Sequence, residues 1–238
     1  MRNSLFYLSL DSTVKEYERL SGIGGSEDRW IIRSGEQSAG MGRDGNAWFS
    51  PPGGLYLSFD FLYPEPVPSF SLYVGHCLHE LLSRLFPLRD LAIKWPNDLY
   101  LAGAKLGGVL CKYQPQENKY IISIGINTNI QIHNVSHQYD VAILNNAIGF
   151  NISNSVLAEL IVKTVEERAG ILGTPSSYID YCNACLYGMG MAAEVFQADS
   201  TARGRISGIS SDGSISLIDA SGLTRNFYSG SLRILAGQ

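Results

Sequence analysis

KWPNDLYLAGAKLGGVL, at residues 94–110, is the stretch that decides the fold of this chain. It sets polar residues between two apolar runs, a pattern that predicts a strand, a turn and a second strand. Pro96 has a fixed φ and no N–H, and it favours an extended conformation at Trp95. We therefore expect the turn at Asn97 and Asp98, with both polar side chains directed at a site.

A positive charge follows this turn, because Lys105 leads a Gly-Gly pair that leaves the backbone open to a ligand. A cation beside open backbone suits an anionic ligand. The whole stretch resembles the catalytic core of biotin protein ligases, whose KWPND motif precedes a short hairpin and a K-L-(A/G)-G-(I/V)-L strand. Three further segments match motifs of that family in order: DST at 11–13, QSAGMGRDGNAWFSP at 37–51 and IGINTN at 124–129.

Length, composition and charge predict a cytoplasmic globular protein. The chain has 238 residues, of which 45% are hydrophobic, enough for one substantial core and one small domain. Its net charge of −4 gives no general basic surface, so broad nucleic-acid binding is not favoured. No run approaches the roughly 18 apolar residues of a membrane span, and the first ten residues are too short and strand-like for a signal peptide.

Hydrophobic periodicity divides the chain into a mixed region and a C-terminal β region. Strands are expected at 4–10, from 31, at 55–61, 92–95, 106–113 and 120–126, and helices at 13–20, 74–85, 156–170 and on to about 186. The pattern Thr13-x-x-Glu16 fits a capping box, and 131–151 is expected to lack regular structure. From Gly188 short segments alternate with turn signals, which predicts a small β-barrel.

The resemblance implies the same architecture. It is an α+β fold, with a mixed-sheet catalytic domain of the biotin/lipoate ligase type at 1–187 and a small C-terminal SH3-like β-barrel at 188–238. Family members often dimerise through the sheet, so a homodimer is expected by analogy. The ligase-repressors of the family carry an N-terminal winged helix-turn-helix domain, and the space before residue 11 is too small for one, which argues against DNA binding.

Cysteine and histidine spacing does not predict a metal site. Cys182 and Cys185 have C-x-x-C spacing, but no second pair or nearby histidine completes four ligands. His76 and His79 lie one turn apart on an expected helix and lack a third ligand. We therefore expect reduced thiols and structural histidines, and we assign no metal ligand.

The glycine-rich loop and two cations suit acyl-adenylate chemistry. An attacking carboxylate and the α-phosphate of a nucleotide are both anionic, so a catalyst needs cations and backbone N–H groups around the pentavalent centre. The residues that supply this set are Gly40, Gly42, Arg43, Gly45 and Lys105.

The resemblance implies roles for individual residues. Arg43 would contact the activated acyl phosphate, Lys105 would reach the carboxyl and adenylate oxygens, and Asp98 would orient the incoming amine; these three form the expected catalytic set. The expected ATP and adenylate contacts are Gly42, Trp48, Asn97, Asn127 and Arg233. The match at Arg233 is short, and a solvated strand charge explains that residue equally well.

The urea ring of biotin needs hydrogen-bonding partners in a dry pocket, where an unpaired polar group costs about 1–3 kcal/mol. Ser12, Thr13 and Gln37 fit this need, although helix capping explains Ser12 and Thr13 equally well when they are taken alone. The biotin-binding set implied by the resemblance is Ser12, Thr13, Gln37, Gly40, Arg43, Lys105 and Gly108.

Four positions depart from the family pattern. Met41 and Asn46 replace arginines of the loop, and Asp44 adds a negative charge, so the loop has lost positive charge. Weaker retention of the adenylate is the hypothesis that follows. Ser123 replaces a glycine that often precedes this Ile-Gly-Ile-Asn segment, and it is expected to narrow the pocket.

The predicted function is that of a short, monofunctional biotin protein ligase. By resemblance it would use ATP and Mg²⁺ to form biotinyl-5′-AMP and transfer biotin to a lysine of a biotin carboxyl carrier protein. Magnesium would be held mainly by the nucleotide phosphates. Two alternatives stay open: a lipoate or octanoate ligase or transferase of the same superfamily, and a biotin-binding module that has lost catalysis.

Overall fold

A seven-stranded mixed sheet forms the larger part of the molecule. The computed structural model describes residues 2–23, 28–131, 140–197 and 200–235. The strands are β1 (Asn3–Tyr7), β2 (Trp30–Ser34), β3 (Leu55–Leu62), β4 (Leu91–Lys94), β5 (Asp98–Leu101), β6 (Ala104–Gln114) and β7 (Lys119–Ile126). They lie in the order β1-β2-β3-β7-β6-β5-β4, with β1 and β2 parallel and the other described pairs antiparallel. The predicted mixed sheet is confirmed.

Helices cover both faces of this sheet. They are α1 (Thr13–Ile23), α2 (Phe70–Leu85), α3 (Leu144–Ile148), α4 (Asn154–Glu167) and α5 (Pro175–Ala184). Neighbouring residues of β7 point to opposite faces: Ile121 packs in the cluster that contains Tyr17 of α1, and Ile122 packs in the main core with α2, α4 and α5. Both faces of the central strands are therefore buried, and polar residues of β3 and β7 such as Ser58 and Ser123 are buried with them.

The C-terminal region folds as a five-stranded antiparallel sheet, which confirms the predicted small β domain. Its strands are β8 (Ala192–Gln197), β9 (Ser200–Ile209), β10 (Ile215–Ile218), β11 (Thr224–Phe227) and β12 (Ser231–Ile234), in the order β11-β10-β9-β8-β12. Val195 and Ile206 join the same hydrophobic core as the larger sheet. Trp95 Nε1 also donates to the carbonyl of Gly213, at 2.9 Å. The boundary at 187/188 stays a prediction.

The turn of the opening motif lies earlier than expected. The structure places the turn at 95–97, with a cis Trp95–Pro96 peptide bond, and Asp98 is the first residue of β5. The reason is strand register, because Lys94 and Asp98 are directly paired across β4 and β5. A turn at Asn97 and Asp98 was therefore the wrong prediction for Asp98.

The predicted capping box does not form. Helix α1 begins at Thr13, whose own backbone N–H donates to Gln37 Oε1, at 2.8 Å. The Glu16 carboxylate accepts from Tyr7 Oη at 2.6 Å and pairs with Arg19 at 2.6 Å, so it is engaged away from the helix start.

Two further elements differ from the sequence pattern. Strand β8 was not predicted, and α3 lies within 131–151, where no regular structure was expected; residues 132–139 of that range lie outside the described part of the chain. No helix among the described residues has the length and apolar character needed to cross a membrane.

Candidate active site

A cavity of about 850 Å³ lies where the larger sheet, the 41–48 loop and the C-terminal sheet meet. It brings together most of the residues predicted for the site: Thr13, Gln37, Gly42, Arg43, Trp48, Asn97, Asp98, Lys105, Gly108 and Arg233. Within the described part of the chain, three of the predicted residues do not line the cavity: Ser12, Gly40 and Asn127. The fold therefore gathers motifs that are up to two hundred residues apart into one site.

The glycine-rich loop is folded back on itself beside the cavity. Backbone bridges join Gln37 to Ser50 and Met41 to Ala47. A Cβ atom at Gly40 would lie 2.5 Å from Ser50 Oγ and from the carbonyl oxygen of Trp48, a distance that the backbone could not tolerate. Gly40 thus allows the loop to close, which is a supporting role for a residue predicted to contact biotin.

Trp48 lies flat against the sheet because two glycines make room for its ring. A Cβ at Gly125 would approach Trp48 Nε1 to 2.5 Å, and one at Gly108 would lie 3.2 Å from the ring. Trp48 Nε1 is buried and makes no hydrogen bond to the rest of the described chain. The indole therefore forms one wall of the cavity, and its contact with an adenylate stays a prediction.

Lys105 is held at that wall by two neighbours. Its Nζ lies 2.9 Å from Asp98 Oδ1 and 5.1 Å from the centre of the Trp48 ring. The two charged side chains are 14% and 18% exposed, so this ion pair is better shielded from water than a surface pair. Lys105 thus presents a fixed positive charge to the cavity.

Asn97 connects the turn to both the sheet and the loop. Its Nδ2 donates to the carbonyl of Val109 at 2.7 Å, and its Oδ1 accepts from Arg43 Nη1 at 3.3 Å. Both ends of the amide are therefore engaged within the chain, and a contact to adenine stays a prediction. Asn127 is buried and donates to the carbonyl of Lys105 at 3.2 Å, which supports the strand that carries the lysine.

Residues that depart from the family pattern surround Arg43. Asp44 Oδ2 lies 3.8 Å from Arg43 Nη2, and Asn46 Nδ2 donates to the carbonyl of Arg43 at 2.9 Å. Asp44 has a left-handed φ of 55° and Met41 is exposed. The arginine therefore has a carboxylate next to it in this loop.

One end of the cavity carries uncharged polar groups. Gln37 accepts from the backbone of Thr13 and donates through Nε2 to Ser50 Oγ, at 2.8 Å. Ser12 is fully buried, and its hydroxyl has no hydrogen-bond partner among the described residues. A buried hydroxyl without a partner is costly, so Ser12 fits a place where a water completes the bonding, next to Thr13 in the cavity lining.

Lys94 is a cavity residue to which the sequence assigned no role. Its Nζ donates to Tyr100 Oη at 2.9 Å, and Tyr100 stacks on Tyr187 with ring centres 4.7 Å apart. Burial lowers the pKa of Lys94; Asp98 opposes this change and Lys105 adds to it. The signal was present in the motif, because Lys94 precedes Asp98 by four residues and faces it across the hairpin.

Arg233 reaches the cavity from the C-terminal sheet. Its guanidinium pairs with Glu194, with an Nε distance of 3.1 Å, and lies 4.7 Å from the centre of the Phe196 ring. Glu194 also accepts from Arg203 at 2.6 Å, and the hydrogen bonds from Arg203 and Arg233 lower its pKa. Arg233 therefore sits at the site but shares its charge with a carboxylate.

Comparison with known proteins agrees with this geometry. The model of the Biotin/lipoate A/B protein ligase family matches residues 7–129. The chain belongs to this family. The matched range contains all of the predicted site residues except Arg233, and it includes the glycine-rich loop, the opening motif and the segment at 124–129.

Two relatives of this chain carry the names of biotin ligases. Biotin–protein ligase 2 of Arabidopsis thaliana is 36% identical over 101 residues, which are 40% of this chain and 31% of that protein. Bifunctional ligase/repressor BirA of Escherichia coli strain K12 is 33% identical over 142 residues, 57% of this chain and 43% of that protein. The matches thus span less than half the length of either relative.

Solved structures of the family share the whole fold. The biotin protein ligase from Aquifex aeolicus in complex with biotin and ATP superposes with a TM-score of 0.84 and 24% identity, covering all of both chains. The α+β architecture with a small C-terminal β domain is therefore that of biotin protein ligase structures.

Proposed function

We propose that this chain is an ATP-dependent biotin protein ligase. It activates biotin as biotinyl-5′-AMP and transfers biotin to a lysine of a biotin carboxyl carrier protein. The observation that carries this proposal is a single cavity that joins an uncharged hydrogen-bonding end, at Thr13 and Gln37, to a cationic end, at Arg43, Lys105 and Lys94. The first end suits a urea ring and the second suits a carboxylate next to phosphates.

In the first step the biotin carboxylate attacks the α-phosphorus of ATP. A carboxyl–phosphate bond forms, and the bond to the bridging oxygen breaks, so that pyrophosphate leaves. Lys105 and Arg43 neutralise the charge that gathers on the phosphate oxygens. Asp98 keeps the Lys105 ammonium in place through its 2.9 Å ion pair.

In the second step the carrier lysine attacks the acyl carbonyl, and AMP leaves. The attacking amine loses a proton to water as the amide bond forms and the bond to AMP breaks. Asp98 is the carboxylate beside the Lys105 ammonium, and we assign it the role of orienting that amine. Trp48 excludes water from one side of the adenylate, which protects the mixed anhydride from hydrolysis.

Magnesium fits this site as a companion of the nucleotide. The carboxylates of Asp44, Asp98 and Asp140 line the cavity, but no three metal-binding side chains come together anywhere in the described part of the chain. A cation that takes most of its ligands from phosphates and water needs only one or two carboxylates. When bound, Mg²⁺ would supply further charge neutralisation at the phosphates.

The test is transfer of labelled biotin to a purified carrier domain in the presence of ATP and Mg²⁺. We expect transfer by the native chain and its loss in Lys105→Ala and Arg43→Ala. Lys163→Ala is the matched control, because Lys163 is exposed on α4 and pairs with Glu167 away from the cavity. Transfer of labelled octanoate instead of biotin would favour the lipoate-type alternative. Biotin binding without pyrophosphate release would favour a binding module.

A further inference from the structure

Three side-chain hydroxyls form a continuous row at the uncharged end of the cavity. Ser123 Oγ lies 2.8 Å from Ser58 Oγ, and Ser58 Oγ donates to Thr13 Oγ1, also at 2.8 Å. The exposed fractions are 8% for Ser123, 0% for Ser58 and 3% for Thr13. Thr13 and Ser123 line the cavity, and Ser58 lies behind them.

The backbone positions of the three residues bring their hydroxyls into this row. Ser58 on β3 and Ser123 on β7 are direct partners across the two central strands, and Thr13 is the first residue of α1. Ser58 is fully buried, and its partner across β2 on the same face of the sheet is Ile32, a fully buried apolar residue. A hydroxyl in such surroundings is stable only when it is hydrogen-bonded, so the three groups depend on one another.

Counting hydrogens gives the row a direction. A hydroxyl has one hydrogen to donate, and Ser58 gives its hydrogen to Thr13, so the bond between Ser58 and Ser123 is donated by Ser123. The Thr13 oxygen is therefore an acceptor within the row, and its own hydrogen is left to point elsewhere. Within the described residues the Thr13 hydroxyl makes no further hydrogen bond.

Thr13 is also fixed from its backbone. Its N–H donates to Gln37 Oε1 at 2.8 Å, so the residue is held on two sides. A hydroxyl that accepts one hydrogen bond becomes a better donor, because bonds in a row polarise one another. Thr13 thus offers a fixed donor to a ligand atom that accepts.

We infer that Ser58, hydrogen-bonded to Ser123, is a positioning residue that fixes the Thr13 hydroxyl as a donor to the carbonyl oxygen of a urea ring. The inference rests on the proposed biotin ligase function and adds a determinant of ligand choice to it. A saturated acyl chain has no oxygen at this end, so the row distinguishes a urea head from an octanoate-like one.

The test compares two ligands that differ at one atom. In 2-iminobiotin a protonated imino group replaces the urea oxygen, so the ligand donates where biotin accepts. Binding of both ligands is measured by calorimetry for the native chain, Ser58→Ala and Ser123→Ala. We expect Ser58→Ala to weaken biotin binding about tenfold, the value of one good hydrogen bond, and to change 2-iminobiotin binding about twofold or less.

Ser123→Ala should have the same selective effect but a smaller one, because the bond from Ser58 to Thr13 remains. Ser216→Ala is the matched control: Ser216 is a buried hydroxyl bonded to Asn226 and Ser210 in the C-terminal sheet, and its loss should leave both ligands unaffected. If Ser58→Ala does not fold, Ser123→Ala decides by the same comparison.

If Ser58→Ala weakens the binding of both ligands equally, or weakens the binding of neither, the inference is overturned and the proposed function is left intact. Failure of the native chain to bind biotin would overturn the proposed function and this inference together. The same experiment therefore distinguishes failure of this inference from failure of the proposed function.

Discussion

At the scale of single residues, the site works through charges that are held by their neighbours. Lys105 is fixed by Asp98 and by the Trp48 ring, and Arg43 is fixed by Asn97. A cation that is already in position needs little reorganisation when the phosphate charge develops. The partners of the cations are therefore as important to the chemistry as the cations.

Asp98→Asn tests this point, because it keeps the shape of the side chain and removes its charge. We expect the rate of adenylate formation to fall about tenfold or more, since a hydrogen bond between two charged groups is lost at the catalytic lysine. Pyrophosphate release under saturating biotin and ATP is the measurement. Asp219→Asn, which removes an ion pair with Arg225 far from the cavity, should leave the rate unchanged; a similar loss in both variants would rule out a local effect.

Lys94 belongs to the opening motif, but the sequence alone predicts no role for it. The variant Lys94→Met tests whether it binds the nucleotide. Lys94 lines the cavity beside Tyr100, so removal of its charge should raise the KM for ATP about tenfold while the KM for biotin changes little. Steady-state kinetics with each substrate varied in turn gives both values. A rise in the biotin KM alone would place Lys94 at the other end of the cavity.

Residue types in the motifs were enough to predict most of the site lining, but not its contacts. Arg43, Lys105 and Trp48 line one cavity, because a loop motif and a strand motif meet there, and their roles toward a ligand stay predictions. The pair between Lys105 and Asp98 and the place of Trp48 on Gly125 depend on strand register and on the path of the loop. Long-range packing of this kind is absent from a local pattern, which is why the contacts of Gly40 within its loop and of Asn127 with the Lys105 carbonyl were not foreseen; their contacts with a ligand stay predictions.

At the scale of elements, buried strands and amphipathic helices were predicted and short elements were not. Strands β3 and β7 are eight residues long and rich in apolar residues, whereas β8 mixes alanine, glutamate and glutamine, so its pattern is weak. Strand β5 has four residues, and it exists because its register with β4 closes a tight hairpin. Tertiary pairing thus decides the elements whose own sequence signal is weakest.

Helix α2 should make the stability of the fold depend on pH. His76 and His79 are buried in it, and burial lowers the pKa of both below 6.5. His79 Nδ1 lies 2.9 Å from Tyr181 Oη and its Nε2 lies 3.0 Å from the carbonyl of Leu91; Glu80 and Arg168 also face His76. The folded state therefore binds fewer protons than the unfolded state when the pH falls below about 6.5.

It follows that the contribution of the two neutral histidines to stability is fully present above their unfolded pKa of about 6.5. This contribution is lost as the pH falls through their lowered folded pKa values. Urea unfolding at about pH 7.5 and about pH 5.5 should show a lower free energy of unfolding at the acid value. The double variant His76→Gln and His79→Gln should reduce this difference. An undiminished difference in that variant would assign the effect to carboxylates instead.

At the scale of the whole molecule, the two sheets share one core and one cavity. The hydrogen bond from Trp95 to Gly213 joins the opening motif directly to the C-terminal sheet. Trp95→Phe keeps most of the buried ring and removes the N–H, which leaves a carbonyl unpaired. We expect the free energy of unfolding to fall by about 1–3 kcal/mol.

Trp30→Phe is the matched control for that prediction. The Trp30 N–H is buried and has no hydrogen-bond partner within the described residues, so its removal should cost less than that of Trp95. Denaturant unfolding of the two variants gives the comparison. A loss in Trp30→Phe as large as that in Trp95→Phe would assign the effect to lost ring packing and not to the bond to Gly213.

The expected homodimer stays a prediction at this scale. Strand β1 is an edge of the larger sheet, and Phe6 and Leu8 are exposed beside it, a combination that often marks an interface. Light scattering during size exclusion should give twice the mass of one chain. Phe6→Lys should return the protein to a monomer if this edge is the contact.

The two glycines beneath Trp48 also give the site an optical reporter. The chain has three tryptophans, and Trp30→Phe with Trp95→Phe would leave Trp48 as the only indole, with the Lys105 ammonium 5.1 Å from its ring. The emission of an indole responds to nearby charge, so binding of an anion close to this lysine should shift the fluorescence spectrum of Trp48. Occupancy of the cavity could then be followed in unlabelled protein, on the time scale of a stopped-flow mixing experiment.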